Sequence, residues 1–463
     1  MLTYQDFLSL IEGEEKQKAV YKVVEDYKRS EQYLSAVIGT KYARGESPTM
    51  ENLTKMIYTV TGGAVPDPRS NNYKYTSGFF KLFITQLASY LLKNGVTFQH
   101  ESTKTALGKK FETNLYIYTI NALAQGVSYG FFNHNRVDFF KATEFAPLLD
   151  EETGQLSAGV YFWQIDENKP LVSTLYEVDG YTSYKKMQDK ITEIEPKRSY
   201  RQKVVVTKKD GRQVYNGDNY NRLPIVPLWA NLEKQSELKG RRDGLDQYDI
   251  IKSGFASDLE EMTQIYWLIN NYGGMSKEEL AEWKQNVRML NIVTSEGDGS
   301  VEAKTVEVPH ESREVYLTRT EKDLYRDFMA LNTENIVGGS VTATQINAAY
   351  EALDQRSLEL QICLTQFIDN ILDIAGIEDT AVFNPYRIAN ELENTQMVIS
   401  ASNYLDRETV LRKLPFITDK EIDGILDRLD TEEQARYKLE QAGEPLEDIE
   451  DIGTADTVQP ELE

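Results

Sequence analysis

Asn332-Thr-Glu-Asn-Ile-Val-Gly-Gly-Ser-Val-Thr-Ala-Thr344 has neither helical nor strand periodicity, and it separates two stretches that are periodic. Before it, Leu317, Leu324, Phe328 and Leu331 recur at helical spacing from Ser312 onward. After it, Ile346, Tyr350, Leu353, Leu360, Leu364, Phe367, Ile371 and Ile374 form one apolar stripe, the pattern of a helix with 3.6 residues per turn. Thr342 followed by Gln345 reads as a capping box, in which side chains take up the free N–H groups of a helix start. The second helix would run for about 30 residues, roughly 45 Å at 1.5 Å per residue, against an average near 11–12 residues. A helix that long lies along a large core or lines an elongated assembly. Gly338-Gly339 allows positive φ and easy rearrangement between the two helices.

The 463 residues, 40% of them hydrophobic, allow two to four domains with real cores. No run of about 18 apolar residues occurs, so no membrane span is expected. Met1-Leu-Thr-Tyr-Gln-Asp-Phe7 lacks the basic and apolar regions of a signal peptide, and the expectation is a protein that stays where it is made. Cys363, the single cysteine, falls inside the long apolar stripe and reads as a small buried hydrophobe rather than a catalytic thiol. No disulfide can form within the chain, which suits a reducing cytoplasm. The net charge of −23 argues against a tight grip on nucleic acid, because phosphate binding needs clustered Lys and Arg. It is compatible with an acidic wall past which nucleic acid slides, and equally with plain solubility.

Residues 1–60 read as charged helices, followed by a connection carrying Pro48, Pro66 and Pro68. Residues 73–93 form an amphipathic helical pattern through Phe79, Phe80, Phe83, Ile84, Leu87, Leu91 and Leu92, and another follows at 110–125. From Gly126 to about 230 the chain reads as mostly antiparallel strands: 127–132, 137–140, 160–165, 171–178, a hairpin turning at Asp210-Gly211, and a closing run at 223–229. Leu245, Tyr248, Ile251, Phe255, Leu259 and Met262 mark a helix of about 23 residues. Ile265–Ile269 then reads as a buried strand, Ser276 as the cap of a short helix, and 290–294 and 303–308 as strands. This small α/β insert is flanked by long helices at 243–264 and 312–331, so it is held out as a separate small domain. Beyond Gly376 come one strand candidate, Ala381–Phe383, a charged helical zone at 391–440, and an acidic tail read as disordered.

No Walker loop, no Gly-x-Ser-x-Gly elbow and no paired histidines occur; His100, His134 and His310 are isolated, surface or loop residues. Asp258, Glu260 and Glu261 share a helical turn and could be imagined as metal ligands, but a solvated helix face explains them better. No catalytic residue, metal or cofactor is assigned. Two basic clusters stand out. Lys185, Lys186, Lys190, Lys197, Arg198, Arg201, Lys203, Lys208 and Lys209, interleaved with Tyr184 and Tyr200, could touch phosphate or could be exposed strand positions. Arg313, Arg319, Lys322 and Arg326 could share a helix face, with Glu314, Glu321 and Asp323 close enough to neutralise them in part.

Helix, small α/β insert, helix, glycine-bearing loop and very long helix, in that order, resemble the portal proteins of tailed bacteriophages. The local sequence agrees. Gly244-Leu-Asp-Gln-Tyr-Asp-Ile-Ile-Lys-Ser-Gly-Phe-Ala-Ser-Asp-Leu-Glu-Glu261, then Ile265-Tyr-Trp-Leu-Ile-Asn-Asn-Tyr-Gly-Gly274, is similar to the stem-to-clip passage of portals from long-tailed phages of Gram-positive hosts. So are Arg222-Leu-Pro-Ile-Val-Pro227 and Leu405-Asp-Arg-Glu-Thr-Val-Leu-Arg-Lys-Leu-Pro415. The resemblance covers roughly residues 70–440.

It implies an elongated, multi-domain α+β fold: a wing (1–230), a stem helix (231–264), a clip (265–311), a second stem helix (312–331), a tunnel loop (332–344), a long wing helix (345–376), a strand segment returning to the wing (377–399), a crown (400–440) and the acidic tail (441–463). It also implies a homo-oligomeric ring of about twelve copies at one capsid vertex, through which double-stranded DNA is packaged and later ejected. Partners would be the terminase large subunit, head-completion or adaptor proteins, and capsid and scaffolding proteins; the location would be the virion, and the host cytoplasm during assembly. The tunnel-loop residues would be Asn332, Thr333, Glu334, Asn335, Ile336, Val337, Gly338, Gly339, Ser340, Val341 and Thr342. Stem candidates are Lys252, Asp258, Glu261, Arg319, Lys322 and Arg326, and clip docking candidates are Trp267, Tyr272, Trp283, Lys284 and Arg288. Two other classes remain open: another virion structural or scaffold protein without a DNA channel, and an enzyme working through carboxylates such as Asp150, Glu151, Asp258 and Glu261.

Overall fold

The computed structural model describes residues 1–13, 15–58, 63–66, 72–188, 190–201, 204–207, 213–261, 266–270, 276, 278, 300–304, 310–335, 343–387, 391–414, 417 and 419–442. They fall into two compact units, residues 1–335 with 349–386, and residues 336–348 with 387–463.

The first unit opens with four helices, α1 (Tyr4–Gly13), α2 (Lys16–Arg29), α3 (Glu31–Ala43) and α4 (Pro48–Asn52), and a small hairpin, β1 (Met56–Tyr58) and β2 (Ala64–Pro66). Then come α5 (Phe79–Leu92), β3 (Val96–Thr97), α6 (Glu101–Leu107) and α7 (Phe111–Gln125). The strand region contains β4 (Val127–Phe132), β5 (Val137–Lys141), β6 (Phe145–Leu149), β7 (Leu156–Trp163), β8 (Leu171–Glu177), β9 (Gly180–Met187), β10 (Lys190–Arg198), β11 (Val204–Thr207), β12 (Gln213–Asn216) and β13 (Ile225–Trp229). These build a three-stranded sheet in the order β13-β4-β5, a five-stranded meander β10-β9-β8-β7-β6 and the hairpin β11-β12, with every pairing antiparallel.

Two apolar cores result. In α2, Val20, Val23, Val24 and Tyr27 recur at helical spacing and pack on Leu148, Val160, Phe162 and Leu175, which point from alternate positions of the meander. The Tyr27 hydroxyl, buried with its ring, donates to the Ala142 carbonyl at 2.8 Å, so its polar atom is satisfied. The second core holds α5, α7, the three-stranded sheet and the long helix described below. Gly39 of α3 is forced by close packing: a Cβ there would stand 1.8 Å from the Ala124 carbonyl oxygen of α7. Gly130 of β4 is likewise forced, because a Cβ would enter the Phe367 ring.

The helix expected from residue 73 begins only at Phe79. Residues 72–78 instead run along α8 (Arg242–Glu261) as an extended strap. The N–H groups of Ser77, Tyr75 and Tyr73 donate to Asp249, Ser253 and Ser257 at 3.0, 2.9 and 3.3 Å. Two extended residues advance about 6.7 Å and four helical residues about 6.0 Å, so the two periods match closely enough for three successive bonds. A helix starting at 73 would take the Ser77 N–H into its own first turn.

Asp249 is 1% exposed, and burial pushes its carboxyl up to about 6, with Asp246 adding to the rise and Ser77 and Lys252 opposing it. The folded chain therefore binds this proton more tightly than the unfolded chain does. Its stability is greatest below the unfolded value of 3.8 and falls as pH rises through about 6. Asp249→Asn is expected to stabilise the protein at pH 7.5 by about 1–3 kcal/mol and to flatten the pH dependence between 4 and 7. Urea midpoints measured across that range check both; an unchanged pH profile would show that Asp249 does not titrate there.

Beyond α8 lie β14 (Tyr266–Asn270), β15 (Ser300–Lys304), α9 (His310–Asp327), the 33-residue α10 (Ala343–Ala375) and β16 (Val382–Phe383). At 1.5 Å per residue α10 spans about 50 Å. One face buries Tyr350, Leu353, Leu360, Leu364, Phe367 and Ile371, the stripe read from the sequence. β16 pairs with β3. Asp379, between α10 and β16, accepts the N–H groups of Gln99 and His100 and the Thr103 hydroxyl, capping α6 from outside that helix. Desolvation there raises its pKa, but these hydrogen bonds outweigh it and hold the carboxyl below its usual range.

The second unit contains α11 (Glu391–Ala401), α12 (Arg407–Lys413) and α13 (Asp419–Ala442). Asp406 caps α12 through the Thr409 N–H at 2.9 Å, and Arg407 pairs with Glu433 across to α13. Ile422 is the only large apolar side chain below a tenth exposure among the described residues of this unit.

Candidate functional site

The site is built on α8 and α9, which lie antiparallel. Asp258 forms an ion pair with Arg313 at 2.6 Å and also faces Lys55 at 3.5 Å. Phe255 stacks edge-on to His310, with ring centres 5.7 Å apart. At the other end Gly244 lies under Leu324. That end is rooted in aromatic rings: Phe79 of α5 meets Tyr248 at 5.2 Å and Tyr325 at 6.1 Å, and Phe83 meets Phe328 at 4.7 Å. Toward its 310 end α9 buries little; between 310 and 323 none of its residues is buried. The chain leaves α8 and re-enters α9 through an antiparallel two-strand pair, with Tyr266 opposite Lys304 and Asn270 opposite Ser300.

The end of α9 is pinned where it leads into residues 332–344. Arg356, on the buried face of α10, donates to the Phe328 carbonyl at 2.5 Å and to Glu237 at 2.9 Å. Glu237 also accepts from Arg241 at 2.8 Å and from Asn231 at 2.8 Å. Arg356 and Glu237 are 6% and 5% exposed. Gln86 of α5 and Leu331 exchange two hydrogen bonds, each 2.9 Å, between the side-chain amide and the backbone. Residues 328–331 are therefore held by α5, α10 and the turn before α8. The sequence marked Phe328 and Leu331 as stripe residues but did not single out Gln86, Glu237, Arg241 or Arg356. One signal was present: Arg356 lies on the apolar stripe, three after Leu353 and four before Leu360, where a charge implies a buried partner.

The structure distributes the sequence candidates as follows. Asp258 ties the two helices together rather than facing solvent alone. Lys252 sits over the Tyr75 ring at 4.1 Å, within the strap. Arg319, Lys322 and Arg326 are exposed on α9, and Arg326 pairs with Asp323 at 3.1 Å. Glu261 ends α8. Asn332, Thr333, Glu334 and Asn335 follow α9 in a short 3-10 turn, whereas Ile336, Val337, Gly338, Gly339, Ser340, Val341 and Thr342 lie outside the described residues. Trp267 is in β14 opposite Ala303; Tyr272, Trp283, Lys284 and Arg288 lie outside the described residues.

The basic stretch belongs largely to β9 and β10, and three of its described cations have carboxylate neighbours. Lys186 pairs with Glu25 at 3.1 Å, Lys197 with Glu177 at 3.0 Å and with Asp179, and Arg198 with Glu195. The three histidines are exposed. Cys363 is buried, and burial pushes its thiol up to about 11, which suppresses thiolate chemistry. Among the described residues no group of three His, Cys, Asp or Glu side chains could hold a metal, and no helix is long and apolar enough to cross a membrane.

The geometry is thus a helical hairpin, a two-strand pair in the chain between its helices, and a pinned anchor after it. The sequence relationship gives the family. The phage portal proteins of the SPP1 Gp6-like type match residues 10–444, and the chain belongs to that family. It is 25% identical to the portal protein of Bacillus phage SPP1 over 446 residues, 89% of this chain and 85% of the relative. It is 28% identical to the portal protein of Clostridium phage phiCD119 over 212 residues, 44% of this chain and about half (47%) of that relative. Among solved structures, the neck of an empty gene transfer agent particle aligns with a TM-score of 0.42 at 10% identity, over 71% of this chain and 86% of that one.

Proposed function

We propose that this chain is one stave of a ring of about twelve copies that forms the DNA channel at a single capsid vertex. The observation that carries the reading is the antiparallel α8–α9 pair, rooted at one end and followed directly by the pinned anchor, a glycine-bearing segment and α10. A tube wide enough for a duplex needs tilted helices from many chains, and each chain here offers two. The segment 332–344 is polar and carries only Glu334 as a charge. Few fixed phosphate contacts mean weak binding, which a surface passed by moving DNA requires. The α8–α9 pair is the stem and the strand pair of β14 and β15 belongs to the clip, the docking face for the terminase large subunit and later for head-completion proteins. The energy for DNA movement comes from the terminase. The protein resides in the virion, having assembled in the host cytoplasm against capsid and scaffolding proteins.

Negative-stain electron microscopy of the purified full chain tests this. Rings with a central hole are expected; rods or monomers at concentrations used for assembly would remove the channel reading.

A further inference from the structure

Two sheet edges of the first unit border one groove. β13 is the edge strand of the three-stranded sheet and β6 the edge of the meander, and a cavity of about 390 Å³ lies between them, floored by Cys363, Phe367 and Ile374 of α10. Open edges normally accept another strand, but these are built to refuse one. The Pro224 carbonyl accepts the Phe132 N–H and the Ala230 N–H goes to Gly126, so the even-numbered residues of β13 face β4. Alternation then turns Pro227 outward. The Glu144 carbonyl accepts the Phe162 N–H, so the same parity turns Pro147 of β6 outward. Each edge thus presents a residue with no N–H to donate. What enters the groove is side chains, not a strand.

The charge points the same way. The chain carries 74 acidic residues, yet the groove lining includes Arg222 and Lys234 and not one carboxylate, Arg222 pairing with Asp373 just outside it at 2.9 Å. At the far end of β7, which begins at the groove with Leu156, stands an apolar and acidic tip. Ile165 is 78% exposed, the most exposed aliphatic side chain among the described residues, beside Trp163 at 41%, and Asp166 and Glu167 follow it. The tip is internally fixed: Gln164 donates to the Lys169 carbonyl at 2.9 Å, and Asp166 accepts the Asn168 N–H at 2.9 Å. A preordered tip loses little freedom on binding. Tip and groove are seven residues apart along one strand, about 23 Å, which places knob and hole on different parts of the subunit surface. A head-to-tail ring requires that arrangement.

We infer that the Ile165 tip of one copy inserts into the β13–β6 groove of the next, as a lateral contact between subunits. The inference rests on the ring reading above. Gln155 lines the groove and is exposed, which makes the contact directly testable in a chain whose single cysteine, the buried Cys363, is replaced by serine. Assembled Gln155→Cys/Ile165→Cys/Cys363→Ser rings, treated with a mild oxidant or a short bismaleimide, are expected to give a ladder of covalent multimers on a denaturing gel. Variants carrying only one of the two introduced cysteines should give none. Ile165→Asp, on an exposed turn, should raise the concentration needed for ring formation by about tenfold or more. Rings without a ladder, together with an unchanged assembly threshold for Ile165→Asp, would overturn this contact alone. Absence of rings from the parent chain would overturn the ring reading and this contact with it.

Discussion

Excision of Asn335–Thr342 is expected to leave ring assembly intact and to reduce DNA packaging to the level of particles that lack a portal. The two halves of that expectation have separate physical grounds. Assembly should survive because the α9 terminus is fixed upstream of the cut, by Arg356 on the Phe328 carbonyl and by the Gln86–Leu331 exchange. The α8–α9 pair is joined further away still, at Asp258 and Arg313. Packaging should fail because, in the proposed channel, this segment is the part of each stave that meets the duplex. Nuclease-protected DNA in a packaging reaction with terminase is the readout, and particle images report assembly. Packaging at the parent rate would show that residues 335–342 have no part in the channel.

Arg356→Met should cost about 3–5 kcal/mol of stability, the usual consequence of removing one partner of a buried ion pair. Glu237 would keep Arg241 and Asn231, which argues for the lower end of that range. The Phe328 carbonyl would lose its guanidinium donor, and a methionine cannot replace it. Arg356→Lys should recover little, since one ammonium cannot reproduce two bonds in the plane of a fork. Glu237→Gln combined with Arg356→Met should be milder than Arg356→Met alone, because no charge is then left buried without its main partner. Urea unfolding of unassembled protein measures all three. A double variant as unstable as the sum of its parts would show that the two groups do not act together.

Much of this architecture was legible because the long elements are periodic. The stripe from Ile346 to Ile374 located α10 to within a few residues of its 33, and the spacing of Leu245 to Leu259 located α8. Strands β4 and β8 came from runs of aromatic and β-branched residues. β9 and β10 were not separated out, because Lys185–Arg198 is rich in Lys and Glu and its hydrophobic alternation is weak; β6, the run Phe145-Ala-Pro-Leu-Leu149, carries a proline and no alternation. The strap was read as helix since its local propensity favours neither state; side chains more than 170 residues away decide it. Candidate site residues fared unevenly for the same reason. Charges on α9 were recognisable as an exposed face, but the pairing of Asp258 with Arg313 joins residues 55 apart in sequence, and the Arg356–Glu237 contact joins residues 119 apart.

The strap also carries an asymmetry of tolerance. On its side the three rungs use main-chain N–H groups, which exchange of Tyr73, Tyr75 or Ser77 for most residues would keep, although the Ser77 side chain adds a further bond to Asp249; proline is the exception. On the helix the acceptors are side-chain oxygens spaced every fourth position, at 249, 253 and 257, and each is irreplaceable by an aliphatic group. A saturation library over both segments would therefore return a permissive ribbon lying on an intolerant helix, with a single forbidden letter in the ribbon and three protected rungs beneath it.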